Sequence, residues 1–160
     1  MRFRSLLGFA LTLTALGLAP GAAHLMELPV KLDYAPQMYA SVTSTLYAWF
    51  GIIGGSVQVA AVVAVGILAF ANRRTPRLRG MMAASAAALL MSLVLWGLLV
   101  FPVNSEWAEI SASNSAEIAA AYDRLRSRWE FGHVAAFIAW LTGWVGLVAT
   151  VTLRDIPKQV

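Results

Sequence analysis

The sequence predicts an all-α protein, a four-helix transmembrane bundle with its N- and C-termini on the cytoplasmic side. Three observations carry that expectation. Only 12% of the 160 residues are charged and 59% are hydrophobic, whereas a soluble domain carries about 25% charge. The mean hydropathy of +0.70 comes from four long uncharged runs, and a run of roughly 18 apolar residues is long enough to cross a bilayer. The basic residues gather at one set of run ends, the pattern that orients membrane helices. Residues 1–160 read as a single integral membrane domain.

The first helix is expected over about 5–28, because residues 5–23 are uncharged, rich in Leu and Ala, and preceded by Arg2 and Arg4. The same stretch fits a secretory signal, with an apolar core from Leu6 to Ala19 and small Gly21 and Ala23 before a cleavage point. Helix-compatible residues continuing from His24 to Leu28 favour a retained helix. The second helix is expected over 46–71, an uncharged run ending at Asn72-Arg73-Arg74, and the third over 80–103, following Arg77 and Arg79. The fourth is expected over 116–153, its span at 131–153 interrupted only by His133 and closed by Arg154. At about 1.5 Å per residue each of these last three runs exceeds the roughly 30 Å apolar thickness. Residues 28–45, with Pro29 and Pro36, are expected to form a loop with a brief helical turn. Another loop is expected after Pro102 and Asn104, with Trp107 and Trp129 in interfacial aromatic belts.

Short cytoplasmic loops carry the excess of Lys and Arg. Arg2, Arg4, Arg73, Arg74, Arg77, Arg79, Arg154 and Lys158 therefore face the cytoplasm. Segments 24–45 and 104–130 hold seven of the eight acids and belong outside. This orientation implies a multi-pass protein of a bacterial inner membrane, in contact with the lipid bilayer.

The absence of cysteine excludes disulfides, thiolate metal sites, iron–sulfur clusters, thiol nucleophiles and c-type haem attachment. The net charge of +4 does not imply nucleic acid, since four of the twelve basic residues sit in one loop between apolar runs. A transporter or channel is disfavoured because no ionisable residue lies mid-span, where the only side-chain amide is Gln58.

Gly51, Gly54 and Gly55 in the second helix, and Thr142, Gly143 and Gly146 in the fourth, let helices approach closely in lipid. They suit packing within the bundle or a homo-oligomer face. Gln58 is expected to point inward, with Ser92 as its partner.

Candidate chemistry sits at the outer edge. His24 and Glu27 are three apart and share a helical face, and Glu130 and His133 repeat that spacing. Glu-x-x-His pairs build dinuclear sites in helical bundles, but further carboxylates are required. The second helix has no acid and the third offers only Asn104, which argues against a full di-iron site. A mononuclear copper or iron site on His24, Glu27, Glu130 and His133 stays open; no cofactor is otherwise implied. The alternatives are helix-end residues paired with Lys31, Arg124, Arg126 or Arg128, including an Arg126–Glu130 helical pair, or an organic-substrate pocket. Tyr47, Trp49, Trp129 and Phe131 would wall such a pocket for a small aromatic or lipophilic ligand, with His or Glu as base.

The segments His24-Leu-Met-Glu27-Leu28-Pro29-Val-Lys31-Leu32, Tyr47-Ala-Trp49, Phe101-Pro102-Val-Asn104 and Arg126-Ser-Arg128-Trp129-Glu130-Phe-Gly-His133 resemble the anthrone-oxygenase-like family of small four-helix membrane proteins. The resemblance spans nearly the whole chain. It implies a four-helix bundle and oxygenation of a polycyclic aromatic without an obvious cofactor. The positions it marks as catalytic are His24, Glu27, Asn104, Arg126, Glu130 and His133, with Pro29 and Trp129 beside them. The chain departs from the family pattern at Tyr122-Asp123, where a Trp-Glu pair is usual. The rival expectation is a non-enzymatic membrane subunit that binds a partner through its small-residue faces.

Overall fold

The computed structural model describes residues 3–110 and 113–154, and every regular element among them is helical. Helix α1 (Phe3–Leu16) and α2 (Ala19–Lys31) make one interrupted run, followed by the short α3 (Pro36–Thr45). A π turn at Phe50–Gly54 leads into α4 (Gly55–Ala71). Helix α5 (Pro76–Leu95) continues through a second π turn at Trp96–Val100 into α6 (Phe101–Ile110), and α7 runs from Ser115 to Arg154. Four of these runs, Phe3–Lys31, Phe50–Ala71, Pro76–Ile110 and Ser115–Thr152, are long and apolar enough to cross a membrane. Helix α5 lies along α7, α4 along α5 and α1 along α4, while α1 and α2 touch α7 and close the bundle.

Prolines explain most boundaries. Pro20, Pro36 and Pro76 each stand in the first turn of a helix, where a missing N–H costs nothing. Pro102 stands in the first turn of α6, directly after a π turn, so the third run continues to Ile110 instead of ending near 103. The Leu98 carbonyl would have received the N–H that Pro102 lacks; Arg128 Nη2 donates to it instead, at 2.8 Å.

Residues 28–45 are more ordered than a loop with a brief turn. Helix α2 runs to Lys31, and α3 fills ten residues. The hydroxyl residues that weigh against a helix here are satisfied within it. The hydroxyls of Thr43, Ser44 and Thr45 donate to the carbonyls of Tyr39, Ala40 and Ser41, each four residues back. The second membrane run starts at Phe50 rather than 46, because a turn at Leu46-Tyr47 interrupts the helix first.

The break between α1 and α2 frees backbone carbonyls, and the bundle satisfies them with side chains. The Leu18 N–H donates back to Ala15, leaving the Thr14 carbonyl to accept from Trp140 Nε1 at 2.9 Å. Gln58 Nε2 donates to the Gly17 carbonyl at 2.9 Å, and Ser92 Oγ donates to the Ala136 carbonyl at 2.7 Å. Gln58 and Ser92 therefore serve backbone acceptors on other helices and not each other. For Gln58 the buried carbonyl at the helix break is the stronger demand in lipid, while Ser92 ties α5 to the interior of α7.

Gly54, Gly143 and Gly146 are used inside the chain, whereas a Cβ on Gly55 would meet no atom within 4 Å. A Cβ on Gly54 would lie 2.6 Å from Pro20, one on Gly143 would lie 2.7 Å from Leu89, and one on Gly146 would lie 2.7 Å from Ser85 Oγ. Two apolar cores result. One, toward the end holding Phe3, gathers Ala10, Leu68, Leu89, Trp140 and Leu147. The other, at the opposite end, gathers Tyr39, Val103, Trp107, Leu125 and Trp129. Trp107 and Trp129 are each only 1% exposed, so they belong to that core rather than to an interfacial belt. The π turn and α3 fold over them. Ile53, Val63, Ile67, Phe70, Ile138 and Val145 face outward from the bundle.

Candidate functional site

Helix α2 presents His24, Glu27 and Lys31 at i, i+3 and i+7, a single face. Helix α7 meets that face with Trp129, Glu130 and His133, and α3 with its following turn adds Tyr39 and Tyr47. The rings of His24 and His133 touch, with centroids 4.0 Å apart. His133 also packs on Trp129 at 4.1 Å, and His24 meets the edge of Tyr47 at 4.6 Å.

Lys31 is the centre of the charge arrangement. Its Nζ lies 3.2 Å from Glu130 Oε2 and 3.4 Å from His24 Nδ1, and it sits over the Trp129 ring at 4.7 Å. Burying this pair is tolerable only because each charge is matched and hydrogen-bonded. Tyr39 completes the set by donating its hydroxyl to Glu130 Oε1 at 2.9 Å. The Tyr47 hydroxyl donates to Glu27 Oε2. Burial, reinforced by the Glu130 carboxylate beside it, pushes the Tyr39 phenol above its ordinary range. Burial and the Glu27 hydrogen bond do the same to Tyr47. Both phenols stay neutral donors.

These partners assign the two imidazoles. A carbonyl oxygen only accepts, so the 3.0 Å contact from His133 Nδ1 to the Trp129 carbonyl places hydrogen on Nδ1 and leaves Nε2 as a lone-pair acceptor. An ammonium only donates, so His24 Nδ1 accepts from Lys31 and His24 keeps its hydrogen on Nε2. The adjacent rings thus offer one donor and one acceptor.

Both histidines line a cavity of about 690 Å³, within the range of small-molecule sites. Tyr47, Asn104 and Trp129 also line it, whereas Glu27, Arg126 and Glu130 stand behind its wall. Asn104 Oδ1 accepts from Trp129 Nε1 at 2.6 Å and fixes that indole. Arg126 does not pair with Glu130. Its Nη1 donates to the Leu32 carbonyl at 3.1 Å and to the Tyr122 hydroxyl at 2.7 Å, pinning the end of α2 to α7. Trp49 and Phe131 are 64% and 66% exposed and point away from the cavity, so neither walls it. Helical phase is the reason: Trp49 lies next to the cavity residues Ala48 and Phe50, and Phe131 two positions from Trp129 and His133, so each faces another direction.

The residues do not fit copper or iron. Among the described residues no three His, Asp or Glu side chains converge as a metal requires. Both Nδ1 atoms and both carboxylates are already engaged, and the Lys31 ammonium stands where His24 and Glu130 would share a cation.

Tyr39 carries no signal in the sequence that separates it from other helical tyrosines, and Lys31 enters there only as a pairing partner. The seven-residue spacing from His24 to Lys31 puts the lysine on the same face, a sign that the ammonium belongs inside the site. The deeper aromatics Trp96, Phe137 and Trp140 also line the cavity, brought there from two different runs.

Fold and site define an all-helical protein with four helices of membrane-spanning length and an aromatic-walled cavity at the bundle end away from Phe3. Comparison of the chain with family models, curated proteins and solved structures returned no match.

Proposed function

We propose that this chain is a multi-pass inner-membrane protein with cytoplasmic termini, and that its cavity, in the outer half of the bilayer, binds a small lipophilic aromatic and oxidises it in an oxygenase-like reaction. The arginines of the 73–79 loop support the orientation. The family resemblance of the His24, Asn104, Trp129 and His133 segments supports the reaction class.

The observation that carries the reading is the pair of touching imidazoles on the cavity wall, 4.0 Å apart between centroids. His133 Nε2 is the base that takes a proton from an acidic C–H or phenolic O–H of the bound aromatic. His24 Nε2–H stabilises the negative oxygen that develops, and Lys31 behind it strengthens that donor. The resulting carbanion gives its electrons to dioxygen, the co-substrate; when a ring methylene becomes a carbonyl, one oxygen atom stays in the product and the other leaves as water. Tyr47, Asn104 and Trp129 position the rings. Glu27, Arg126 and Glu130 act through other residues. The alternative, a non-enzymatic subunit that binds a partner through small-residue faces, would have Gly55 and Thr142 to offer, since Gly54, Gly143 and Gly146 pack within the chain.

The test is oxygen uptake by the protein in lipid nanodiscs with an anthrone as substrate. Replacing His133 with Ala lowers turnover by about 10²-fold or more, with the helical spectrum retained. Turnover that survives His133→Ala overturns the assignment.

A further inference from the structure

We propose that the ligand held in this cavity is a lipid-soluble quinone or quinol, with its ring beside His24 and His133 and its apolar tail leaving sideways into the bilayer between the two π turns, the one before α4 and the one after α5. The proposal rests on the cavity being the ligand site, and goes further in naming a tailed lipid.

The first observation is length. Trp107 and Ser92 both line the cavity and lie fifteen positions apart on one helical run, which is roughly 20 Å at about 1.5 Å per residue. That is about two-thirds of the hydrocarbon thickness of a bilayer, and more than a compact ring system fills. The second is the side wall. Toward the two π turns the lining includes Ile52 in the first of them, Val59 in α4 and Phe101 at the start of α6, all more than half exposed on the outer surface of the bundle. The cavity therefore meets the outward-facing surface of the bundle between the two π turns. Gly55 and Gly97 stand at this place, and a Cβ on either would meet no atom within 4 Å. The two π turns, Phe50–Gly54 and Trp96–Val100, flank the same gap, and such turns recur at functional sites.

The third observation is the chemistry at the ring end. Quinone carbonyls need donors, and His24 Nε2–H is one. Trp107 is another, since its buried indole N–H has no hydrogen-bond partner among the described residues. Quinol hydroxyls need an acceptor, and His133 Nε2 is one. Aromatic faces of Tyr47, Phe50 and Trp129 suit a flat ring. An anionic carboxylate or phosphate head would call for a free cation here, but no Lys or Arg among the described residues lines the cavity, and Lys31 is held by Glu130 and Arg126 by Leu32 and Tyr122. The head of the ligand is therefore neutral.

The experiment titrates the full chain in nanodiscs with a decyl-substituted dimethoxybenzoquinone, and with the same ring bearing methyl in place of the decyl chain. Tryptophan quenching is read against ligand concentration in the lipid phase. Both ligands bind the wild type, and Gly55→Leu and Gly97→Leu each weaken the tailed ligand at least about tenfold more than the tail-less one. Equal weakening of the two ligands, or no effect of either substitution, overturns the tail route and leaves the compact aromatic reading standing. Failure of both quinones to quench overturns the quinone proposal, and oxygen uptake with an anthrone then decides the other reading separately.

Discussion

Lys31 Nζ and Glu130 Oε2 lie 3.2 Å apart, although 99 positions separate them in the chain, and their side chains are only 2% and 9% exposed. This contact joins α2 to α7 and places both histidines. Breaking one side of such a pair leaves an unmatched buried charge, whereas replacing both with apolar residues of similar size removes the problem. Glu130→Ala is expected to destabilise the protein by about 3–5 kcal/mol, and Lys31→Met with Glu130→Leu to restore most of that. Unfolding titrations in mixed micelles measure both. A double variant as unstable as the single would contradict the pairing.

Arg128 and Pro102 form a compensated couple through the Leu98 carbonyl. Removing the guanidinium alone leaves that acceptor unpaired, at a cost of about 1–3 kcal/mol. Pro102→Ala supplies an N–H in helical register. A double-mutant cycle should therefore show Arg128→Ala costing less in the Pro102→Ala background. Strict additivity would count against the mechanism.

The glycines separate into contact and open positions. Gly143→Ala drives a methyl to 2.7 Å from Leu89, while Gly66→Ala meets nothing within 4 Å. The first is expected to lose about 1–3 kcal/mol by overpacking. The second is expected to gain a few tenths of a kcal/mol from helix propensity, up to about 1. Thermal denaturation of the two variants in detergent checks the order.

Tyr39 and Tyr47 have pKa values raised by folding, each by burial first and then by a neighbouring carboxylate. Both phenols are neutral in the folded and unfolded chain below about pH 10, the ordinary tyrosine value, so their contribution is constant there. Above it the unfolded chain releases protons that the folded chain retains, and stability falls as pH rises. Spectrophotometric titration should show two tyrosines that ionise only on alkaline unfolding; Tyr39→Phe should remove one of them.

The four spans were legible because lipid imposes a simple requirement, a long uncharged run with charges at its ends. The ends of those runs were less legible. Hydroxyls returned to the backbone made α3 helical, and a π turn carried the third run past Pro102. Both depend on local hydrogen-bond alternatives that composition does not rank.

Of the site, the sequence alone determined the residue types and their faces: His24 and Glu27 on one helix, Glu130 and His133 on another, with Trp129 beside them. Only the tertiary structure decided what those residues do to one another. Periodicity states which side chains share a face, and a pairing across 99 positions requires the faces to be docked. Once docked, Lys31 took the place between His24 and Glu130 that a metal would need, Arg126 turned to Leu32 and Tyr122, and Trp49 was left outside. The cavity itself belongs to no single segment. It lies where Gly55 and Gly97 leave side-chain space unfilled beside two π turns, between aromatic rings from different runs, a property of the packed bundle rather than of any run of residues.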